Sequence, residues 1–161
     1  MDYQHLSTLL WREQELLDLL LFKAEEKQYL ILTGKTRWLA RIAHEIEVVL
    51  DQLRSLEVER AAATEALAGR LGIEANPSLR ALADKAPAPW NDLLAKHHEA
   101  LLVLVTELRG LSDTNRELIE GGLSAIDDAL LAVRTPSAGT YTQAGRTAEN
   151  AYRPVSLDGA M

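Results

Sequence analysis

Cysteine is absent from this chain, which excludes disulfides, thiol catalysis and cysteine metal sites, and fits a reducing compartment. Aromatic residues make up only 5%, so any core is mostly Leu, Ile, Val and Ala. No block of basic residues offsets the net charge of -7, and a surface for the phosphates of a nucleic acid is not expected. Long apolar runs are missing as well. The densest cluster, Leu16 to Phe22, is broken by Asp18 and falls far short of the roughly 20 residues that span a bilayer. The opening Met1-Asp2-Tyr3-Gln4-His5 lacks the basic-then-apolar pattern of a secretion signal. Together these absences predict a soluble, cytoplasmic protein. What remains, 161 residues at 47% hydrophobic content, is enough for one domain with a real core.

Proline is scarce where it matters most. None falls between Trp90 and Pro136, and there apolar or small residues recur at Leu94, Leu101, Leu104, Leu108, Leu111, Leu118, Gly122, Ala125, Ala129 and Val133. That spacing predicts a helix over 90–134, on the order of 60 Å long at about 1.5 Å per residue. A second row, Leu102, Val105, Ile119, Leu123, Ile126 and Leu130, widens the apolar face beyond a two-helix seam. Something has to cover the extra width, either this chain or another protein.

Two more long helices precede it. Leu6, Leu9, Leu10, Leu16, Leu17, Leu20, Ala24, Leu30 and Ile31 predict one over 3–32, closed at Gly34, whose tolerance of positive φ suits a helix end. Trp38, Ile42, Ile46, Val49, Leu53, Leu56, Ala63 and Leu67 predict another over 36–71, loosened by Gly69 and Gly72 and stopped by Asn76-Pro77. A short helix over 78–85 with Ser78 as its N-cap follows, and then Pro87 and Pro89 enforce an extended connection. The expected architecture is all-α: an elongated antiparallel bundle of three long helices plus a short connector helix over 1–134. From 135 to 161 no apolar period survives, which predicts a disordered C-terminal tail bearing Tyr141 and Tyr152.

Motifs with chemistry mostly fail on inspection. Gly34-Lys35-Thr36 ends like a phosphate-binding loop, but Tyr29 stands where that loop needs glycine, and a helix precedes it instead of a strand. The residues three before His5, His44, His97 and His98 are Asp2, Arg41, Leu94 and Ala95, so no Glu-x-x-His pair for a di-iron bundle exists. No metal, cofactor or catalytic residue is expected, nor a phosphorelay histidine. His97 sits in the apolar row of the last helix and reads as a satisfied structural histidine more readily than as a pH switch. Asn115 interrupts the same row. It either fixes helix register or hydrogen-bonds a partner, and the spacing leaves both open. Gly121-Gly122 costs a helix about 2 kcal/mol against two alanines, and admits a close helix approach, a soft point or a tolerated defect. The three tryptophans read as core or end packing. The chain reads as a binder.

One stretch resembles a known family. The run Leu111-Ser112-Asp113-Thr114-Asn115-Arg116-Glu117-Leu118-Ile119-Glu120-Gly121, continued by Leu123, Ile126 and Leu130 and followed by Thr140-Tyr141 and Gly145-Arg146, resembles the FlgN family of flagellar type III export chaperones. That family pairs a Leu-x-x-x-Asn-x-x-Leu-Leu helix with a Tyr-Gly-x-x-Gly tail. The resemblance extends from the first helix to about Arg146, loosely in its first half. It implies a non-enzymatic chaperone that binds the C-terminal segments of the hook-filament junction proteins FlgK and FlgL and docks on the cytoplasmic domain of the export gate protein FlhA. Carried over, the client-binding residues are Leu111, Asn115, Leu118, Ile119, Leu123, Ile126 and Leu130, and Tyr141 docks on the gate. Thr142 departs from the family pattern, where glycine follows the tyrosine, so Tyr152 stays open as the docking residue. The alternative function is a coiled-coil scaffold whose wide stripe is spent on self-association, and the sequence leaves the oligomeric state, a homodimer included, open.

Overall fold

A computed structural model describes residues 2–134, which form an all-α bundle of three long helices and one short one. Helix α1 spans Tyr3–Leu32, α2 Leu39–Leu71, α3 Leu79–Lys85 and α4 Trp90–Arg134. The expected tail, with Tyr141, Thr142 and Tyr152, lies outside the described residues. The chain divides into two units, Met1–Glu120 and Gly121–Met161, and the boundary falls within the span of α4.

Local chemistry explains where each helix starts and stops. Asp2 caps α1 by accepting from the His5 N–H at 2.8 Å. At its other end Gly34 takes φ 69°, letting its own N–H reach Ile31 O at 3.2 Å and the Lys35 N–H reach Leu30 O at 2.9 Å. Those two bonds satisfy carbonyls that the helix end would otherwise orphan. The segment predicted to be helical from residue 36 opens differently. Thr36–Trp38 is a 3-10 turn, and α2 proper starts at Leu39. Gly72, at φ 66°, closes α2, and Ile73 N–H returns to Ala68 O at 3.1 Å. Asn76, also left-handed at φ 57°, is pinned by its N–H on Glu65 Oε2 at 2.8 Å. Ser78 Oγ accepts from Ala81 N–H at 3.1 Å and so caps α3.

Within the first unit, polar contacts read out the helix directions. Lys23 pairs with Glu45 at 2.9 Å, and Glu13 lies 2.9 Å from Arg60, so position falls along α1 as it rises along α2. These two are antiparallel. Tyr3 stacks on Trp90 at 5.6 Å, Ser7 meets His97, and Ala24 meets Asn115, so α1 and α4 run parallel. The core between them is aliphatic: Leu6 and Leu10 of α1, Leu67 of α2, Leu82 of α3 and Leu94 of α4 are completely buried. Truncating such a leucine to alanine typically costs about 2–5 kcal/mol. The tryptophans divide instead of sharing one role. Trp90 stacks on Tyr3, whereas Trp11 and Trp38 remain largely exposed.

His97 is buried and satisfied. Gln14 Nε2, which can only donate, lies 2.6 Å from Nδ1, so the neutral ring carries its proton on Nε2 and donates to Ser7 Oγ at 3.0 Å. Trp11 covers the ring edge-on at 5.0 Å. Burial lowers the His97 pKa, because the charged imidazolium would lose its hydration. An unfolded chain protonates this histidine near pH 6.5 while the folded chain keeps it neutral. Its contribution to stability is therefore complete above that pH and is lost as the pH falls through the window down to the depressed folded value. Urea unfolding at pH 7.5 and 5.5 should show the lower midpoint at pH 5.5, with a smaller gap in His97→Gln. Glu13, raised by a burial that outweighs the pull of Arg60, acts in the opposite direction, and the comparison with the variant separates the histidine from it.

Candidate functional site

A groove of about 390 Å³ opens among the three long helices of the first unit. Leu20, Ala24 and Lys27 of α1, Ile46 and Leu50 of α2, and Leu108, Ser112, Asn115, Arg116 and Ile119 of α4 line it. Each helix brings these residues to one place by the same three-and-four spacing that builds the core. Most of the wall is aliphatic. Its charged residues are Lys27 and Arg116, and no carboxylate is among the lining residues, although the whole chain carries -7. Arg116 makes an ion pair with Asp113 at 3.3 Å, with both side chains more than half exposed, and such pairs contribute little.

Asn115 is the polar centre of the groove. It is 4% exposed, and its Nδ2 donates to the backbone carbonyl of Ala24 at 3.0 Å. That half of the amide ties α4 to α1. The other half, Oδ1, is buried without a hydrogen-bond partner. Leaving a buried acceptor unmatched costs about 1–3 kcal/mol. Of the two sequence readings of Asn115, the bond to Ala24 carries the one that ties α4 to α1 and sets their register.

A larger concavity of about 600 Å³ lies at the turn between α1 and α2, lined by Tyr29, Trp38, Arg41 and three glutamates among others. Of its four charged residues, Glu26, Arg41 and Glu45 are already engaged. Lys23 holds Glu26 and Glu45 at 2.9 Å each, and Arg41 holds Glu45 at 3.2 Å. These contacts raise the Lys23 pKa and lower that of Glu45, so both stay charged. Lys35 of the Gly34-Lys35-Thr36 segment lies 5.4 Å from the Tyr29 ring, in a helix-to-helix turn rather than a phosphate loop. Size alone favours this concavity, but unsatisfied polarity singles out the Asn115 groove.

The residues expected to bind a client fall into three environments. Asn115 is buried, Leu111, Leu118 and Ile119 are half-buried, and Leu123, Ile126 and Leu130 are exposed. The first apolar row also ends early. Leu94 through Leu118 is at least partly covered, but Gly122, Ala125, Ala129 and Val133 are exposed like every other side chain described from 121 to 133. Sequence reasoning assigned the surface to α4 alone and missed Lys27, Leu20, Ile46 and Leu50 of the groove wall. Their own helices mark them only as inward-facing or ordinary surface positions. Among the described residues, an added Cβ at Gly121 or Gly122 would meet nothing within 4 Å. Gly121→Ala and Gly122→Ala should each strengthen the helix by up to about 1 kcal/mol, visible as slower amide exchange around residues 117–126.

Among the described residues, no helix is long and apolar enough to cross a membrane, and no three His, Asp or Glu side chains gather as a metal site. A family model for FlgN protein matches residues 1–149. No curated protein and no solved structure matches the chain.

Proposed function

Because the chain belongs to the FlgN family, a family of flagellar export chaperones, we propose that it holds FlgK and FlgL by their C-terminal segments in the cytoplasm and delivers them to the cytoplasmic domain of FlhA. The observation that carries this reading is the exposed apolar row on α4: Leu123, Ile126 and Leu130 are 58%, 57% and 47% exposed, with Leu131 and Val133 beside them. Contiguous apolar surface of this kind marks interaction sites. A row at spacings of three and four suits the apolar face of a second helix laid along it. The client's own amphipathic tail is the natural occupant, since in water it faces the same problem of uncovered apolar surface. On this reading Leu111, Asn115, Leu118 and Ile119 are also client-binding residues.

Handover rests on Tyr141, carried by the resemblance of the Thr140-Tyr141 and Gly145-Arg146 segment to the family's tail. An aromatic side chain makes a strong anchor because it buries a large rigid surface at small entropic cost. Holding and delivery need no bond to be made or broken, so the proposed activity is not enzymatic.

Calorimetric titration with peptides from the C-terminal ends of FlgK and FlgL tests the reading directly. Binding with a large negative heat-capacity change is expected, as for a helix folding onto an apolar surface. Ile126→Asp should weaken that binding at least tenfold with helical circular dichroism unchanged; equal affinity would remove Ile126 from the surface. Tyr141→Ala should keep its client and lose the FlhA domain, and a variant that still binds the gate protein would contradict the docking role. A chain that sediments as a tight dimer and ignores the peptides would instead be spending its row on self-association.

A further inference from the structure

One turn runs against the acidity of the chain. Of its 17 lysines and arginines, Lys27, Lys35, Arg37 and Arg41 fall between Glu26 and Glu45, where none of the 24 carboxylates lies. This stretch holds the end of α1, the Gly34 turn and the start of α2, and it exposes apolar side chains as well as charge. Tyr29, Leu32 and Trp38 are 58%, 64% and 43% exposed. We propose that this turn is a second docking surface, built from α1 and α2 alone, that takes an acidic, amphipathic segment of a partner protein. Carboxylates of the segment sit on Lys35 and Arg37, and one of its apolar side chains enters between Tyr29 and Trp38.

The two cations are the ones left without an acid. Arg41 is held by Glu45 at 3.2 Å, and Lys27 lies in the wall of the Asn115 groove. Neither Lys35 nor Arg37 makes an ion pair with a described residue, and each rests on a ring instead, Lys35 at 5.4 Å from Tyr29 and Arg37 at 4.9 Å from Trp38. A ring attracts a cation and restrains it but supplies no carboxylate oxygen, so the N–H donors of both side chains remain for an anion. The occupant is therefore acidic.

It is also partly apolar. Tyr29, Leu30, Trp38 and Ile42 line the adjoining concavity of about 600 Å³, within the range of about 300–1,000 Å³ that holds ligands. Glu25 lines the same concavity without an ion pair among the described residues and repels a carboxylate from its interior. Acid on the turn and an apolar group inside is the pattern that satisfies both.

The flanking carboxylates decide between kinds of anion. Glu26 and Glu45 lie about 9 Å along their helices from Leu32 and Leu39 at about 1.5 Å per residue, close to the Debye length of about 8–10 Å. A bilayer or a duplex spreads its charge widely and would meet these acids together with the cations. A single segment places its few charges on the turn, and its apolar side chain gains from a concavity that a flat surface cannot enter.

The test selects random displayed peptides on the full chain. A class that combines Asp or Glu with Leu, Phe or Trp is expected, and its synthetic members should shift the amide resonances of residues 29–41. Binding should weaken at high salt, fall at least tenfold in Lys35→Glu with Arg37→Glu, and fall several-fold in Trp38→Ala, with helical circular dichroism unchanged. The proposal is overturned if no acidic class emerges, if its amide shifts lie elsewhere, or if the doubly reversed variant binds within twofold of the unmodified chain. The amide shifts need no variant, so they decide even if the reversal fails to fold. Phosphatidylserine vesicles and duplex DNA should not bind; binding of either that the reversal abolishes would assign the turn to phosphates instead. A dimer in sedimentation that the reversal dissociates would assign it to a second copy of the chain. The FlgK and FlgL peptides should bind the reversed variant as they bind the unmodified protein, and a loss there would make the turn part of the client surface. If those peptides bind neither protein, the client reading falls while the outcome at this turn is unaffected.

Discussion

The parallel seam between α1 and α4 is the constraint on which the first unit depends. Three polar contacts define it: His97 with Ser7 at 3.0 Å and with Gln14 at 2.6 Å, and Asn115 with Ala24 at 3.0 Å. Positions 97 and 115 are 18 residues apart, five full turns at about 3.6 residues per turn, so both point in one direction from α4. Aliphatic side chains alone would tolerate a slide of one helix past the other by a turn, because leucine meets leucine in either register. A buried amide that must find a carbonyl, and an imidazole that must find a hydroxyl and an amide, do not tolerate it.

With that seam set, the remaining packing follows from direction and length. Gly34 reverses the chain so that α2 returns along α1, where Lys23 and Glu13 meet Glu45 and Arg60. The α3 segment then carries Leu82 and Ala83 into the end of the core and leaves Trp90 against Tyr3. The two α4 side chains of the seam differ in completeness. His97 uses both ring nitrogens and is closed to anything further, whereas Asn115 uses its donor and keeps an acceptor.

The chaperone character of the family gives this arrangement its meaning. A protein that must hold a client and later release it gains from surface that is apolar but not self-covering. The exposed row of Leu123, Ile126 and Leu130 is surface of that kind. The chain is acidic as a whole, yet the charged residues that line the groove at Asn115 are Lys27 and Arg116.

Much of this molecule is local, and local features are legible in a sequence. The apolar spacing, Gly34 as a helix stop, Ser78 as a cap and the break at Pro87 and Pro89 depend on residues within a few positions of one another. The all-α architecture and the family resemblance around Asn115 were therefore readable before any fold. Residue 36 was the exception among the boundaries, since a 3-10 turn and an α-helix share their side-chain pattern over a single turn. Pairing is not local. Periodicity showed that α4 had two apolar rows, but the cover over Leu94 to Leu118 and the exposure of Gly122, Ala125, Ala129 and Val133 depend on where other helices lie. Likewise only the assembled helices decided that His97 is satisfied by Ser7 and Gln14, that Trp11 and Trp38 stay largely exposed, and that Lys27 shares a groove with Asn115. A sequence determines which face of a helix is apolar because that follows from 3.6 residues per turn; what covers that face is set by contacts between residues as many as 91 positions apart, which no local pattern records.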